Sequence, residues 1–283
     1  MPASSKPLDR SVSPPVTGQD VAERLLRRDR RLVAALLGTL VLLAGLYTVY
    51  GVGMRMSALE MTAMRDMRDM PGPQAAGAWS TGYAVLVFLM WWVMMAAMMV
   101  PSVAPTVLLH VALLRHAGPG RVAGRSTAFL AGYLAIWAMF SVLATAAQWG
   151  LEATGRVSAT MMVLIDTWPG GLLLIAAGIY QFLPLKASCL RQCQSPARFL
   201  SEHRRDGIGG AFHMGLHHGA YCLGCCSALM ALLFAGGIMN LYWIVGLALF
   251  VAVEKLTPLG DRVAKAAGVG LVVWGGMVVW GAV

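Results

Sequence analysis

Charge is scarce in this sequence. Lysine, arginine, aspartate and glutamate together make up 12% of its 283 residues, about half the share of an average soluble chain, which argues against a soluble globular domain. Acid is scarcer than base, 13 Asp and Glu against 22 Lys and Arg. The positive excess sits in short blocks between apolar runs, which suits membrane orientation and speaks against nucleic acid as a partner. No nucleotide-binding Gly-x-x-x-x-Gly-Lys loop occurs, so ATP-driven work has no engine here. No Cys-x-x-Cys-His occurs, which disfavours a covalent c-type haem. Cysteine is also rare, five in all, and an odd count from the inner surface to mid-membrane does not read as a disulfide framework.

Long apolar runs are abundant. They fall near 32–53, 79–114, 128–149, 158–185, 211–237, 241–253 and 263–283, and a bilayer core takes roughly 20 apolar residues per helix. The expected fold is all-α, a polytopic transmembrane bundle of about seven spans, or six if the short sixth run does not cross. The first run is too long for a signal-peptide core and reads as a retained anchor. Residues 1–20, rich in Ser and Pro, are expected to be disordered. The stretch 1–31 is read as a basic tail, 32–283 as the transmembrane domain, and 54–78 as an extracytoplasmic Met-rich segment. Arg24, Arg27, Arg28, Arg30 and Arg31 crowd the first helix start and put the amino terminus in the cytoplasm. Threading outward and back leaves two basic loops inside, 115–125 and the one carrying Lys186, Arg191, Arg198, Arg204 and Arg205. Seven crossings would end the chain outside.

The densest chemistry lies between His213 and Cys226, which holds His213, His217, His218, Cys222, Cys225 and Cys226 within fourteen residues. At about 100° per residue, Met214, His218, Cys222 and Cys225 share one helix face, Cys226 lies at its edge, and His213 and His217 on a neighbouring one. Thioether, imidazole and thiolate are the soft to borderline set that suits Cu(I) or Zn(II), and polar groups in lipid are usually functional. Redox thiols and plain packing are the competing readings, since a buried cysteine is often a small hydrophobe. One helix offers an ion only i, i+3 or i, i+4 neighbours, so a closed shell needs another element. Cys189 and Cys193 are one source, completing a Cys/His site with His213 and His217 or packing their loop. Met94, Met95, Met98 and Met99 are another, at about the depth of Cys222–Cys226. Pro101 and Pro105 beside them should kink or open the helix. Gap-filling by methionine is the plainer account.

Outside, Met61, Met64, Met67 and Met70 recur every third residue after Met54 and Met56. On a helix they form a slowly drifting thioether stripe, either an amphipathic face on the membrane or a Cu(I) collector. Glu254 and Lys255 end the sixth run and read as interface markers, Glu254 with the option of an oxygen ligand or a counter-charge to the histidines. Asp166 reads as a cap or boundary residue before Pro169.

Met94-Met95-Ala96-Ala97-Met98-Met99-Val100-Pro101-Ser102, the stretch from Tyr180 to Lys186 with Cys189, and Gly215 to Cys226 together resemble a bacterial family of predicted metal-binding integral membrane proteins. The likeness runs from about residue 79 to the end and extends to Glu254-Lys255. It implies a polytopic helical protein in the bacterial inner membrane. Three functions follow as expectations. The first is a Cu(I)-handling transporter or membrane metallochaperone, copper being the expected metal, zinc the competitor, and an enzyme role not favoured. The second is a thiol redox protein built on Cys222 and Cys225. The third is a zinc-stapled scaffold or assembly factor for a membrane complex, in which Gly215 and Gly219 permit close helix contact.

Overall fold

A computed structural model describes residues 18–54, 56–68, 78–116 and 122–281, with side chains from residue 31 onward. Among them are eleven helices and, for β-structure, only an isolated bridge between Val157 and Leu164. The order is α1 (Gly18–Tyr50), α2 (Ala58–Ala63), α3 (Thr81–His116), α4 (Val122–Ala153), α5 (Thr167–Tyr180), α6 (Pro184–Gln194), α7 (Pro196–Glu202), α8 (Gly207–Ala231), α9 (Leu233–Gly236), α10 (Leu241–Leu256) and α11 (Gly260–Val279). The polytopic all-α bundle expected from the apolar runs is what forms.

Among the described residues the spans number five or six, against the six to seven expected. Five helices are long and apolar enough to cross a membrane, and a sixth span arises if α5 and α6, bent by 66° at their break, are counted together. Helix α10 has 16 residues, short of the roughly 20 a crossing needs. The fourth run also starts late: residues 158–166 form a loop, and α5 begins at Thr167 with Pro169 inside its first turn. Asp166 occupies the N-cap position, but its side chain makes no capping bond. Helix α1 already begins at Gly18, so the arginines from 24 to 31 lie on the same helix as the first span, Arg31–Tyr50. Residues 1–17 lie outside the described set.

Close packing rests on glycine, as expected where lipid supplies no hydrophobic drive and helices associate by van der Waals contact. A Cβ on Gly215 would stand 2.0 Å from the Phe129 carbonyl oxygen, and one on Gly132 would stand 2.1 Å from that of Phe212. Gly219 meets Ile136 and Tyr133 further along, so α4 and α8 run parallel with backbones nearly touching. Gly171 faces Gly275 and Gly178 faces Gly268, which pairs α5 with α11 antiparallel. Helix α3 lies between α1 and α4. Its two prolines do not break it: α3 is continuous through Pro101 and Pro105. Ser102 and Tyr133 hydroxyls donate to the Met99 carbonyl, at 2.8 and 3.2 Å.

Between Met61 and Met67 the methionine stripe does not form a continuous helix. Helix α2 is six residues long, closed by a capping box in which Ser57 and Glu60 bond reciprocally. The Ser57 backbone and hydroxyl donors hold the Glu60 carboxyl below its ordinary range. Met61 is buried, Met67 is exposed, and Met70 lies outside the described residues. Thr62 accepts from the Leu241 backbone N–H at 2.9 Å, so α2 caps the start of α10.

Candidate metal centre

Helix α8 brings Cys222, Cys225 and Cys226 to the middle of the bundle, each at most 1% exposed. With no strand competing, its 3.6-residue turn puts all three on the buried side. The sulfurs then meet partners from other helices. Cys225 Sγ lies 4.0 Å from Cys193 Sγ on α6, and Cys226 Sγ lies 3.9 Å from Met99 Sδ on α3. Cys222 Sγ is 3.0 Å from the Tyr133 hydroxyl on α4 and accepts from Lys255 Nζ on α10 at 2.8 Å. Five helices thus converge on one sulfur cluster.

Cys189 joins it from the side. Its sulfur occupies the space above Gly224, where a Cβ would come within 2.7 Å. That contact gives the glycine in Cys222-Leu223-Gly224-Cys225 a steric reason. Tyr180 donates to the Gly224 carbonyl from the same direction. Met94, Met95 and Met98 are buried in the same apolar core, but of the four methionines Met99 is the one whose sulfur meets a cysteine.

The charged groups differ from the sequence expectation. Glu254 is fully buried and bound to Lys186 Nζ at 2.8 and 3.0 Å, with Gln181 as a further acceptor for the lysine. It is neither an interface marker nor a counter-charge to the histidines. Lys255 is 5% exposed and points the other way, into the cysteines, with Ser102 Oγ at 3.4 Å. Among the described residues no carboxylate pairs with it. An isolated cation in a low-dielectric interior is costly, and the groups it touches that can carry negative charge are Cys222 and Cys226. Tyr133, Lys186 and Lys255 were not singled out as site residues from sequence. Both lysines stand just past the ends of apolar runs, 158–185 and 241–253, so hydropathy alone gave no signal for them.

The histidines separate from the sulfurs. His218 is 2% exposed among Phe129, Tyr133 and Phe199, and its Nδ1 has no partner. The His213 and His217 rings lie 4.7 Å apart between centroids, tilted to each other, toward the start of α8, with His203 at 5.6 Å from His217. Cys193 Sγ meets Cys225, and among the described contacts none joins it to His213 or His217. All five cysteines are free thiols. Among the described residues no three His, Cys, Asp or Glu side chains converge tightly enough to hold a metal as they stand. The sulfur contacts come instead as pairs.

The copper chaperone family PpoB2 has a model that matches residues 88–278. That stretch contains α4 to α10, most of α3 and α11, and every residue of the sulfur cluster. No curated protein and no solved structure matches the chain. The chain belongs to this copper chaperone family.

Proposed function

We propose that this member of a copper chaperone family binds Cu(I) through its buried sulfur pairs and passes it on, as a membrane metallochaperone or transporter. The observation that carries the reading is the meeting of Cys193 with Cys225 and of Cys226 with Met99 across helices. Metal–sulfur bonds of about 2.3 Å put two sulfurs about 3.8 Å apart at a tetrahedral angle and about 4.6 Å apart in a line. The 4.0 and 3.9 Å separations fall inside that interval. Paired soft donors suit a monovalent ion content with two ligands, whereas zinc wants four.

Charge favours the same ion. Cu(I) between the Cys193 and Cys225 thiolates carries one net negative charge and Cu(I) between the Cys226 thiolate and the Met99 thioether none, and the Lys255 ammonium, in contact with Cys222 and Cys226, is the cation in the cluster that offsets negative charge in a low-dielectric site. Cys222, with Lys255 and Tyr133 on it, is placed to accept copper as it leaves a pair. The basic loops orient the amino terminus and the start of α8 to the cytoplasm, in a bacterial inner membrane.

Copper content after anaerobic loading of the purified chain tests this. The parent should retain Cu(I) in preference to Zn(II) against a chelating competitor. Changing Cys222, Cys225 and Cys226 together to Ser should abolish retention while far-UV circular dichroism in detergent shows that the helices persist. Equal copper in parent and variant would overturn the proposal.

A further inference from the structure

A second polar cavity, of about 270 Å³, opens at the start of α8 and is lined by His203, Arg204, Arg205, His213, Met214 and His217, with Glu202 at its edge. Its donors are three imidazoles and a thioether, the borderline and soft types again. His203 Nδ1 lies 3.2 Å from the Phe199 carbonyl, a contact that orients the ring at the wall of the cavity. His213 Nδ1 is buried without a partner.

The same cavity is strongly basic. Arg204 and Arg205 are exposed, and among the described residues neither has a carboxylate partner. Glu202 does not offset them, because Arg198 Nε already donates to it at 2.7 Å. Two guanidinium groups repel a bare cation and attract carboxylates. Imidazoles for a metal beside guanidiniums for an anion make sense together if the metal arrives inside an anion. Cu(I) bound to a small thiol is such a species, since its thiolates outweigh the single positive charge.

We infer that this cavity is a docking site for an anionic Cu(I) complex of a low-molecular-weight thiol bearing carboxylates, from which His213 and His217, one turn apart on α8, take the metal as a pair by ligand exchange. The inference rests on the copper reading above and names the form in which the ion is exchanged. Arg204 and Arg205 hold the carboxylates. A carrier Cu–S bond breaks as a Cu–N bond forms, the departing thiolate takes a proton from water, and copper remains Cu(I) with no electron moved. Inward from the cavity, His203 stacks on Phe199 at 4.8 Å and Phe199 meets His218 at 4.7 Å. His218 stands one helical turn before Cys222, so the cavity and the sulfur cluster are neighbours along α8.

The test compares two donors to the full-length protein in detergent, Cu(I)–glutathione, which is anionic, and acetonitrile-solvated Cu(I), which is cationic. Replacing Arg204 and Arg205 together by Gln should slow uptake from Cu(I)–glutathione about tenfold. It should leave uptake from the acetonitrile complex at least as fast as in the parent, and the final copper content unchanged. Replacing His213 and His217 together by Ala should slow uptake from Cu(I)–glutathione even with both arginines present. An arginine variant that draws copper from both donors at the parental rate, or is slowed equally for both, would refute the docking site while leaving the sulfur cluster standing. A parent that binds no copper from either donor would remove both readings.

Discussion

Lys186 and Glu254 are 1% and 0% exposed and lie on helices 68 residues apart in sequence. Removing one partner of such a pair leaves an uncompensated buried charge, which costs about 3–5 kcal/mol, whereas replacing both by apolar groups is often tolerated. Lys186→Met should therefore lower the unfolding midpoint in detergent sharply, and Lys186→Met with Glu254→Leu should recover most of the loss. A double variant as unstable as the two single effects added would show that the pair does not act as a unit. Glu254 and Lys255 adjoin in sequence, yet one faces α6 and the other the cysteines. From sequence alone both looked like boundary markers, because hydropathy reports where an apolar run ends and not which neighbour waits there.

At the scale of elements, the joint between α4 and α8 sets the depth at which Tyr133 meets Cys222. Gly215→Ala puts a methyl group onto the Phe129 carbonyl, 2.0 Å away before relaxation, and overpacking of this kind costs about 1–3 kcal/mol. Gly209→Ala on the same helix meets nothing within 4 Å and should be neutral or slightly stabilising through helix propensity. Thermal melting and copper retention should both fall in the first variant and in neither case for the second. Equal behaviour of the two would mean that the close approach of α4 and α8 does not matter. The glycine pair was legible as a contact motif, but its partner was not, since small residues mark a face without naming the helix that covers it. The methionine stripe from 61 to 70 misled for a related reason. Its three-residue spacing fits a helix, but helix α2 stops at Ala63, and Met61 packs into the core while Met67 faces outward.

For the whole molecule, the parallel course of α4 and α8 means that both enter the membrane from the same side. The loop ending at Arg205 and the segment around Met67 should then lie on opposite sides. Single cysteines introduced as Met67→Cys and Arg205→Cys should be labelled by an impermeant maleimide from opposite faces of sealed vesicles, the five native thiols being buried. Labelling of both from one face would overturn the threading. Met67 is the better outer reporter, 58% exposed against 4% for Met61.

What the sequence determined by itself was the all-helical membrane bundle and the composition of the α8 face, because apolar length and the helical turn are local properties that survive any packing. Which atoms meet was decided by the tertiary structure. Cys193 finds Cys225 across 32 residues, Lys255 finds Cys222 across 33, and Met99 finds Cys226 across 127. Such contacts depend on how helices cross, rotate and break. Those geometries follow from side-chain volumes filling space between distant segments, and no periodicity along one segment encodes them.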